Sequence, residues 1–329
     1  MGIALGASAA RPVLFPLLCL LALASLLAGV TFGSVGLSLA QVIAALFGQG
    51  SELSLQLVWE LRVPRVLAAF ACGGLLAVSG VLLQVLLRNP LADPYVLGVS
   101  GGASAAALGA LAAGLPWFAV NALTLAGALA AMGIVFGLGF RSGNWSIERL
   151  LLTGVALSTA CGAVIALLLT LAPAQELRGM LFWLMGDLGH AGSPWPAWGV
   201  LAAVALIGAA LGPSLNVMVL GENKARSLGV AVERLRLVLY VAPAIATAVA
   251  VLTAGAVGFV GLIVPHLVRL LGVSDHRRLL PASVLLGGSV LTVADTFART
   301  VAAPQQLPVG ALMAVIGVPA LLFLLSAKR

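Results

Sequence analysis

Apolar residues run through this chain in blocks of about twenty, interrupted by short polar or charged breaks. Wound as a helix at 1.5 Å per residue, a block of that length reaches across a hydrocarbon core of about 30 Å. Ten blocks stand out, at about 13–32, 62–87, 94–112, 117–140, 149–171, 195–212, 235–254, 257–271, 281–299 and 308–326. The eighth is short for a crossing. The pattern predicts an all-α, polytopic membrane protein with ten transmembrane helices. The first block follows a single basic residue, Arg11, as a cleaved signal peptide would, but its length and the nine further blocks favour an uncleaved first helix.

Composition agrees with the pattern. Hydrophobic residues make up 62% of the 329 and charged residues 8%, and the mean hydropathy of +1.17 leaves too little polar surface to cover a soluble globule. The 39 glycines suit helices whose backbones approach closely in lipid. No linker or low-complexity stretch divides the chain, so residues 1–329 read as one integral domain with two longer exterior segments, 33–61 and 172–194. A faint echo relates "GVLLQVLLRNPLAD" (80–93) to "GLIVPHLVRLLGVSD" (261–275), and it reads as chance.

Charge sets the orientation. With ten crossings and both termini on one side, 13 of the 17 basic residues fall on that side, which makes it cytoplasmic. The net charge of +7 then follows from topology and calls for no nucleic acid. The exceptions are Arg62, Arg65, Arg178 and Arg299, at the opposite face. They either anchor helix ends at the interface or attract acidic groups of a docking partner. Cys19, Cys72 and Cys161 all sit inside apolar blocks, with neither disulfide nor metal-ligand spacing, so no metal site is expected.

One break stands apart. "GENKARSLGV" (221–230), within a cytoplasmic segment at about 213–234, packs Glu222, Lys224 and Arg226 between Gly221 and Gly229. Glu222 suits the first turn of a short helix and Gly229 its left-handed end. Ala225 and Leu228, three apart, would share a face and offer a small apolar patch to a partner. The other reading is a solvated connector.

The stretches "LRVPRVLAAFACGGLLAVSGVLLQVLLRNPLADPYVLGVSGGA" (61–103), "LGENKARSLGV" (220–230), "GAVGFVGLIVPHLVRLLGVSDHRRLLP" (255–281) and "ADTFARTVAAPQQLPVGALMAVIGVPALLFLL" (294–325) resemble the permease subunits of type II ABC importers. That group takes up vitamin B12, ferric siderophores and haem. The resemblance implies a homodimer in the bacterial inner membrane, two cytoplasmic ABC ATPase subunits and a periplasmic binding protein. It implies that 221–230 is the helix that couples to the ATPase, with Glu222, Ala225, Arg226 and Leu228 touching the partner. It gives Arg62, Arg65 and Arg299 the role of gripping glutamates of the binding protein. This chain itself would bind no cofactor, and ATP and Mg would belong to the partner ATPase. The residues agree: there is no G-x-x-x-x-G-K-[ST] phosphate loop and no nucleophile–base or metal-ligand cluster, so the chain is not expected to be an enzyme.

A rival from another class is a proton-coupled secondary transporter, which needs an ionisable group deep in the membrane. Asp295 is the candidate, but its spacing from Arg299 predicts a local i, i+4 ion pair. Asp93 is expected to cap the third block, and His266 to follow a kink at Pro265.

Gly154, Ser158, Cys161, Gly162 and Ile165 fall on one face of the fifth block, small enough for tight packing. The family places its fifth helix beside the translocation path, so the same face could line it, with Ser146 and Ile147 near the inner gate. The segment after it carries Arg178, "FWLMGD" (182–187) and His190. Haem would use each: propionates on the guanidinium, the macrocycle on apolar surface, imidazole on iron. Haem is therefore the favoured cargo, a ferric siderophore next and vitamin B12 third. Against this, Arg178 could pair with Asp187, Trp183 could anchor at the interface and His190 could be a solvated loop residue.

Overall fold

The computed structural model describes residues 11–139, 146–189 and 191–326, and every regular element among them is helical. Arg11–Thr31 (α1) is followed by two short helices, Leu39–Leu46 (α2) and Glu52–Gln56 (α3). A π turn, Leu57–Arg62, carries α3 without a break into Val63–Leu86 (α4). A 3-10 turn at Pro94–Leu97 leads into Val99–Ala112 (α5), then Trp117–Gly139 (α6), Ile147–Leu171 (α7) and Ala174–Leu184 (α8). Trp195–Met218 (α9), Glu222–Ser227 (α10), Val232–Ala254 (α11), Val260–Leu270 (α12), His276–Thr300 (α13) and Val309–Ser326 (α14) complete the chain.

Seven helices among the described residues are long and apolar enough to cross a membrane, α3 and α4 counting as one. The apolar stretches Val99–Ala112, Val260–Leu270 and Val309–Phe323 occupy the other three expected blocks and are shorter. Two expected boundaries move for a local reason. The eighth block was expected from 257, but Gly255 (φ 67°) and Phe259 (φ 69°) leave the helical region, so α12 starts only at Val260. The third was expected from 94, but Gly98 (φ 74°) breaks it and α5 starts at Val99. These interruptions satisfy each other: the Val257 N–H donates to the Tyr95 hydroxyl at 2.8 Å, as buried irregular backbone inside a membrane requires. Asp93 caps the 3-10 turn, accepting from the Tyr95 N–H at 2.8 Å. Elsewhere the helices outrun the pattern. α9 continues through Pro213, and the two exterior segments contain α2, α3 and α8, none of which was expected.

α4 is the axis of the fold. It packs on α9, α11, α12 and α13, and its most apolar stretch is 94% buried. Glycine makes this possible. A Cβ on Gly73 would overlap the carbonyl of Gly287 in α13, and one on Gly80 would overlap the carbonyl of Gly261 in α12. The two glycines of the faint sequence echo, Gly80 and Gly261, thus lie against each other. On the same seam, Gln84 Nε2 donates to the Gly261 carbonyl at 3.4 Å, and Arg269 donates to Gln84 Oε1. Ser79 and Thr247 both donate to the Pro243 carbonyl, tying α4 to α11.

α7 is the opposite case, with only 11% of its most apolar stretch buried. The helices define two ends. At one, the last turns of α1 and α13 meet the start of α4 around three arginines. At the other, the end of α9 meets the start of α13 next to α10: Asn216 Nδ2 donates to Asp275 at 2.7 Å, and the His276 N–H donates to Asn216 Oδ1 at 3.0 Å. Asp275 caps α13, and the Asn216 amide, more than any other neighbour, holds its carboxyl below the usual carboxylate range.

Candidate functional site

At the α10 end, Gly221 (φ 108°) and Gly229 (φ 80°) form the tight turns that set a six-residue helix apart from α9 and α11. In most side chains φ in this region is strained, so glycine here shapes the connection. α10 is fastened to α11 by charge. Arg236, nearly buried, donates to Glu222 from both Nε and Nη2, and to Glu233 from Nη1 at 3.1 Å. Arg226 closes the ring onto Glu233 at 2.5 Å. Both ends of α10 are therefore tied to the first two turns of α11.

The expected apolar patch is corrected here. Ala225 is fully buried and points into the bundle, whereas Leu228, at the C-cap of α10, is 65% exposed, so the two do not share a face. Two turns of helix cannot set their own rotation, and the Arg236 ring sets it. The outward face carries Leu228, Lys224 and the half-exposed Arg226, with Asn223 and Ser227 beside them. Beside it lies an open groove of about 520 Å³ lined by Arg226, Gly229 to Glu233 and Arg234.

At the other end, the structure gives the expected docking arginines internal partners. Arg62 is 5% exposed and reaches back to the end of α1, donating from Nη1 to its last two carbonyls, Val30 (3.0 Å) and Thr31 (2.7 Å), and from Nη2 to Val35 (2.5 Å) in the segment that follows. Arg299 is 4% exposed and donates to the Gly29 carbonyl at 2.5 Å. The Gly29, Val30 and Thr31 carbonyls belong to the last turn of α1 and have no partner within it, so the two cations cap its negative end. Arg65 is bidentate on Asp295 (2.8 and 3.0 Å), donates to Gln306 Oε1 at 2.8 Å and lies 3.9 Å from Asp187. Asp295, 1% exposed, also sits 3.7 Å from Arg299, the i, i+4 pair that the spacing predicts. Among these groups, three cations face two carboxylates. The sequence spacing carried no sign of Asp187 and Gln306 as partners of Arg65, since both come from distant loops.

The fifth-block face divides. Gly154 packs on Val96 and Leu97, Ser158 lies by Gly98 and Cys161 lies by Gly101, so this stripe seats α7 on α5. A Cβ on Gly162 would meet nothing within 4 Å, and Gly162 lies on the exposed side with Val155 and Leu167. Ser146 caps α7, accepting from the Arg149 N–H at 3.3 Å, and Ile147 is its first residue. Arg178, on α8, lies over the Phe182 ring at 5.7 Å. It lines a cavity of about 990 Å³ together with Trp117, Glu176, Trp183, Asp187 and Gln306. His190 lies outside the described residues. No group of three or more His, Cys, Asp or Glu suited to a metal ion occurs among the described residues.

The sequence profile of the FecCD transport family matches residues 19–327. The vitamin B12 import system permease protein BtuC of Citrobacter koseri is 40% identical over 278 residues, 83% of each chain. That of Escherichia coli O9:H4 is 40% identical over 83% of this chain and 84% of its own. Among solved structures, an inward-facing conformation assigned to a metal-chelate type ABC transporter superposes with a TM-score of 0.84 at 30% identity, over 97% of this chain and all of that one. PsaBC from Streptococcus pneumoniae, in complex with Fab, is 14% identical with a TM-score of 0.51 over 79% of this chain and 90% of its own, a likeness of fold alone. The chain is a multi-pass transport permease, and it belongs to the FecCD transport family of iron-chelate and vitamin B12 permeases of ABC importers.

Proposed function

We propose that this permease carries a corrinoid, vitamin B12 or a close relative, across the bacterial inner membrane. Ten crossings per subunit, two subunits around the path and cytoplasmic termini belong to the same reading. So do a pair of cytoplasmic ABC ATPase subunits, with their ATP and Mg, and a periplasmic binding protein that delivers the cargo. The observation that carries the cargo is the 40% identity to vitamin B12 permeases over 83% of the chain. The cavity of about 990 Å³ has the breadth for a bulky cargo, and Gln175, Gln305 and Gln306 on its wall suit a corrinoid's amides. Haem, favoured from Arg178 and His190 in the sequence, has no counterpart among those relatives. It stays as a second reading because Arg178 is exposed on the cavity wall, where a propionate could pair with it. Uptake into proteoliposomes holding the full complex, with corrinoid-loaded and haem-loaded binding protein offered separately, separates them. Corrinoid uptake supports the proposal, and haem uptake alone overturns it.

The coupling surface is α10, through Leu228, Arg226 and Lys224 and the groove beside them, with Glu222 and Ala225 holding the helix in place. Leu228→Glu is expected to cut ATP-driven uptake at least about tenfold, a loss of about 1.4 kcal/mol or more of coupling, while leaving the melting temperature unchanged. Ala225→Glu is expected to lower that temperature, because it drives a charge into the bundle. Parental uptake by Leu228→Glu would remove α10 from the coupling surface.

An acidic partner would dock at the arginine end through the residual positive field and Arg65, which is more exposed than Arg62 or Arg299. Reversing Arg62 or Arg299 would also release α1, and reversing Arg65 would set a second acid against Asp295, so a docking measurement belongs on Arg65→Gln with its melting temperature read alongside. The second subunit would meet the exposed side of α7, where Gly162 would face the path.

A further inference from the structure

α2 is apolar on both sides. One side, Val42 and Ala45, is fully buried, and the Trp59 indole N–H fixes it by donating to the Ala45 carbonyl at 2.9 Å. The other side carries Leu39, Ile43 and Phe47, spaced i, i+4, i+8 along the helix and 60%, 48% and 78% exposed. The helix is well formed at its start by a reciprocal capping box between Ser38 and Gln41, and it stops at Gly48 (φ 74°). Residues 12–51 include no charged side chain, so nothing on this surface is suited to a charged protein partner.

Two observations indicate what covers it. The stripe continues, through the exposed Val35 and Phe32, the outward face of α1, where Leu17, Leu20 and Leu27 are 57%, 62% and 53% exposed as lipid-facing residues of a crossing helix are. At its far edge stand Trp59, half-exposed with its N–H satisfied, and the exposed acids Glu52 and Glu60. An apolar stripe that leads out of a crossing helix and ends at a tryptophan and then at charge follows the profile of a membrane boundary.

We propose that α2 is an interfacial anchor: Leu39, Ile43 and Phe47 lie in the headgroup–acyl boundary of the leaflet at the arginine end. The anchor is joined to the transport bundle at two points, Trp59 on Ala45 and Arg62 on the Val35 carbonyl, so the depth of α2 in the lipid sets the position of the mouth of α4. The partner is a lipid surface, and the inference does not depend on which cargo is carried.

The test places a nitroxide label at Leu39→Cys, Ile43→Cys and Phe47→Cys in turn, in a chain with Cys19, Cys72 and Cys161 replaced by alanine, reconstituted in phosphatidylglycerol–phosphatidylethanolamine vesicles. Collisions with oxygen are expected to exceed those with nickel-EDDA severalfold at all three sites, and the order to reverse at Gln49→Cys. Nickel-EDDA dominating at positions 43 and 47 would mean that the face is in water, and spin–spin broadening there would mean that a second copy covers it. Either result overturns the proposal. Should the cysteine-free chain fail to fold, Phe47→Trp in the native background gives the same reading. Its added fluorescence is quenched by lipids brominated near the headgroup if α2 is an anchor, and unquenched if it is not.

Discussion

Gly80→Val is expected to eliminate folded permease from the membrane. Gly80 lies in the most buried crossing helix among the described residues, against the backbone of Gly261, and a Cβ there would overlap a carbonyl rather than a side chain that could rotate away. Relief would require α4 to move from α12, and α4 also packs on α9, α11 and α13, so the displacement would spread through the bundle. A cost of about 4 kcal/mol or more exhausts much of the stability of an ordinary protein. Gly109→Ala and Gly133→Ala, in α5 and α6, serve as controls. A Cβ at either meets nothing within 4 Å, so these changes are expected to be neutral or to stabilise by up to about 1 kcal/mol. Size-exclusion profiles and melting curves in detergent check all three. A Gly80→Val permease that elutes and melts like the parent would show that the α4–α12 contact is not what holds the fold.

Asp295→Asn is expected to cost about 3–5 kcal/mol, the range for removing one partner of a buried ion pair. The amide keeps the shape but leaves Arg65 and Arg299 without the carboxylate that they share, and Arg299 has almost no access to water. Asp295→Glu, which restores the charge at a changed distance, is expected to recover part of the loss. The same residue separates two functional classes. A proton relay must take up and release a proton during transport, whereas a strut needs only the contacts with Arg65 and Arg299 that join α4 to α13. If Asp295→Asn melts at the parental temperature, the strut is dispensable and the relay reading gains.

Much of the fold was legible because the requirement of the bilayer is long and repetitive: apolar runs of crossing length locate α1, α4, α6, α7, α9, α11 and α13. What escaped was set by contacts distant in sequence. The break at 255–259 depends on Tyr95, 162 positions away in the chain, receiving the Val257 N–H. α2 is announced by Ser38 and Gln41, but a short uncharged helix between two crossings has the same pattern as a loop with apolar residues.

The sites divide in the same way. Gly221 and Gly229 mark α10 locally, and the Asp295–Arg299 pair follows from spacing four, so both could be read directly. The rotation of α10, which buries Ala225 and exposes Leu228, is decided by Arg236, 14 positions from Glu222. The charge count placed Arg62 and Arg299 at one end together, and the structure brings both to the end of α1. The count gave no warning that each would be spent on carbonyls of α1, because a helix end capped from 31 to 32, or 270, residues away leaves no local signature.

On the function proposed above, this chain is the permease of an ATP-driven corrinoid importer. The most direct measurement is the accumulation of labelled vitamin B12 in proteoliposomes containing this permease, its ATPase and corrinoid-loaded binding protein, with and without internal ATP and with and without an imposed proton gradient. Accumulation is expected to need ATP and the ATPase subunit and to be indifferent to the gradient. Accumulation driven by the gradient in the absence of ATP would contradict it.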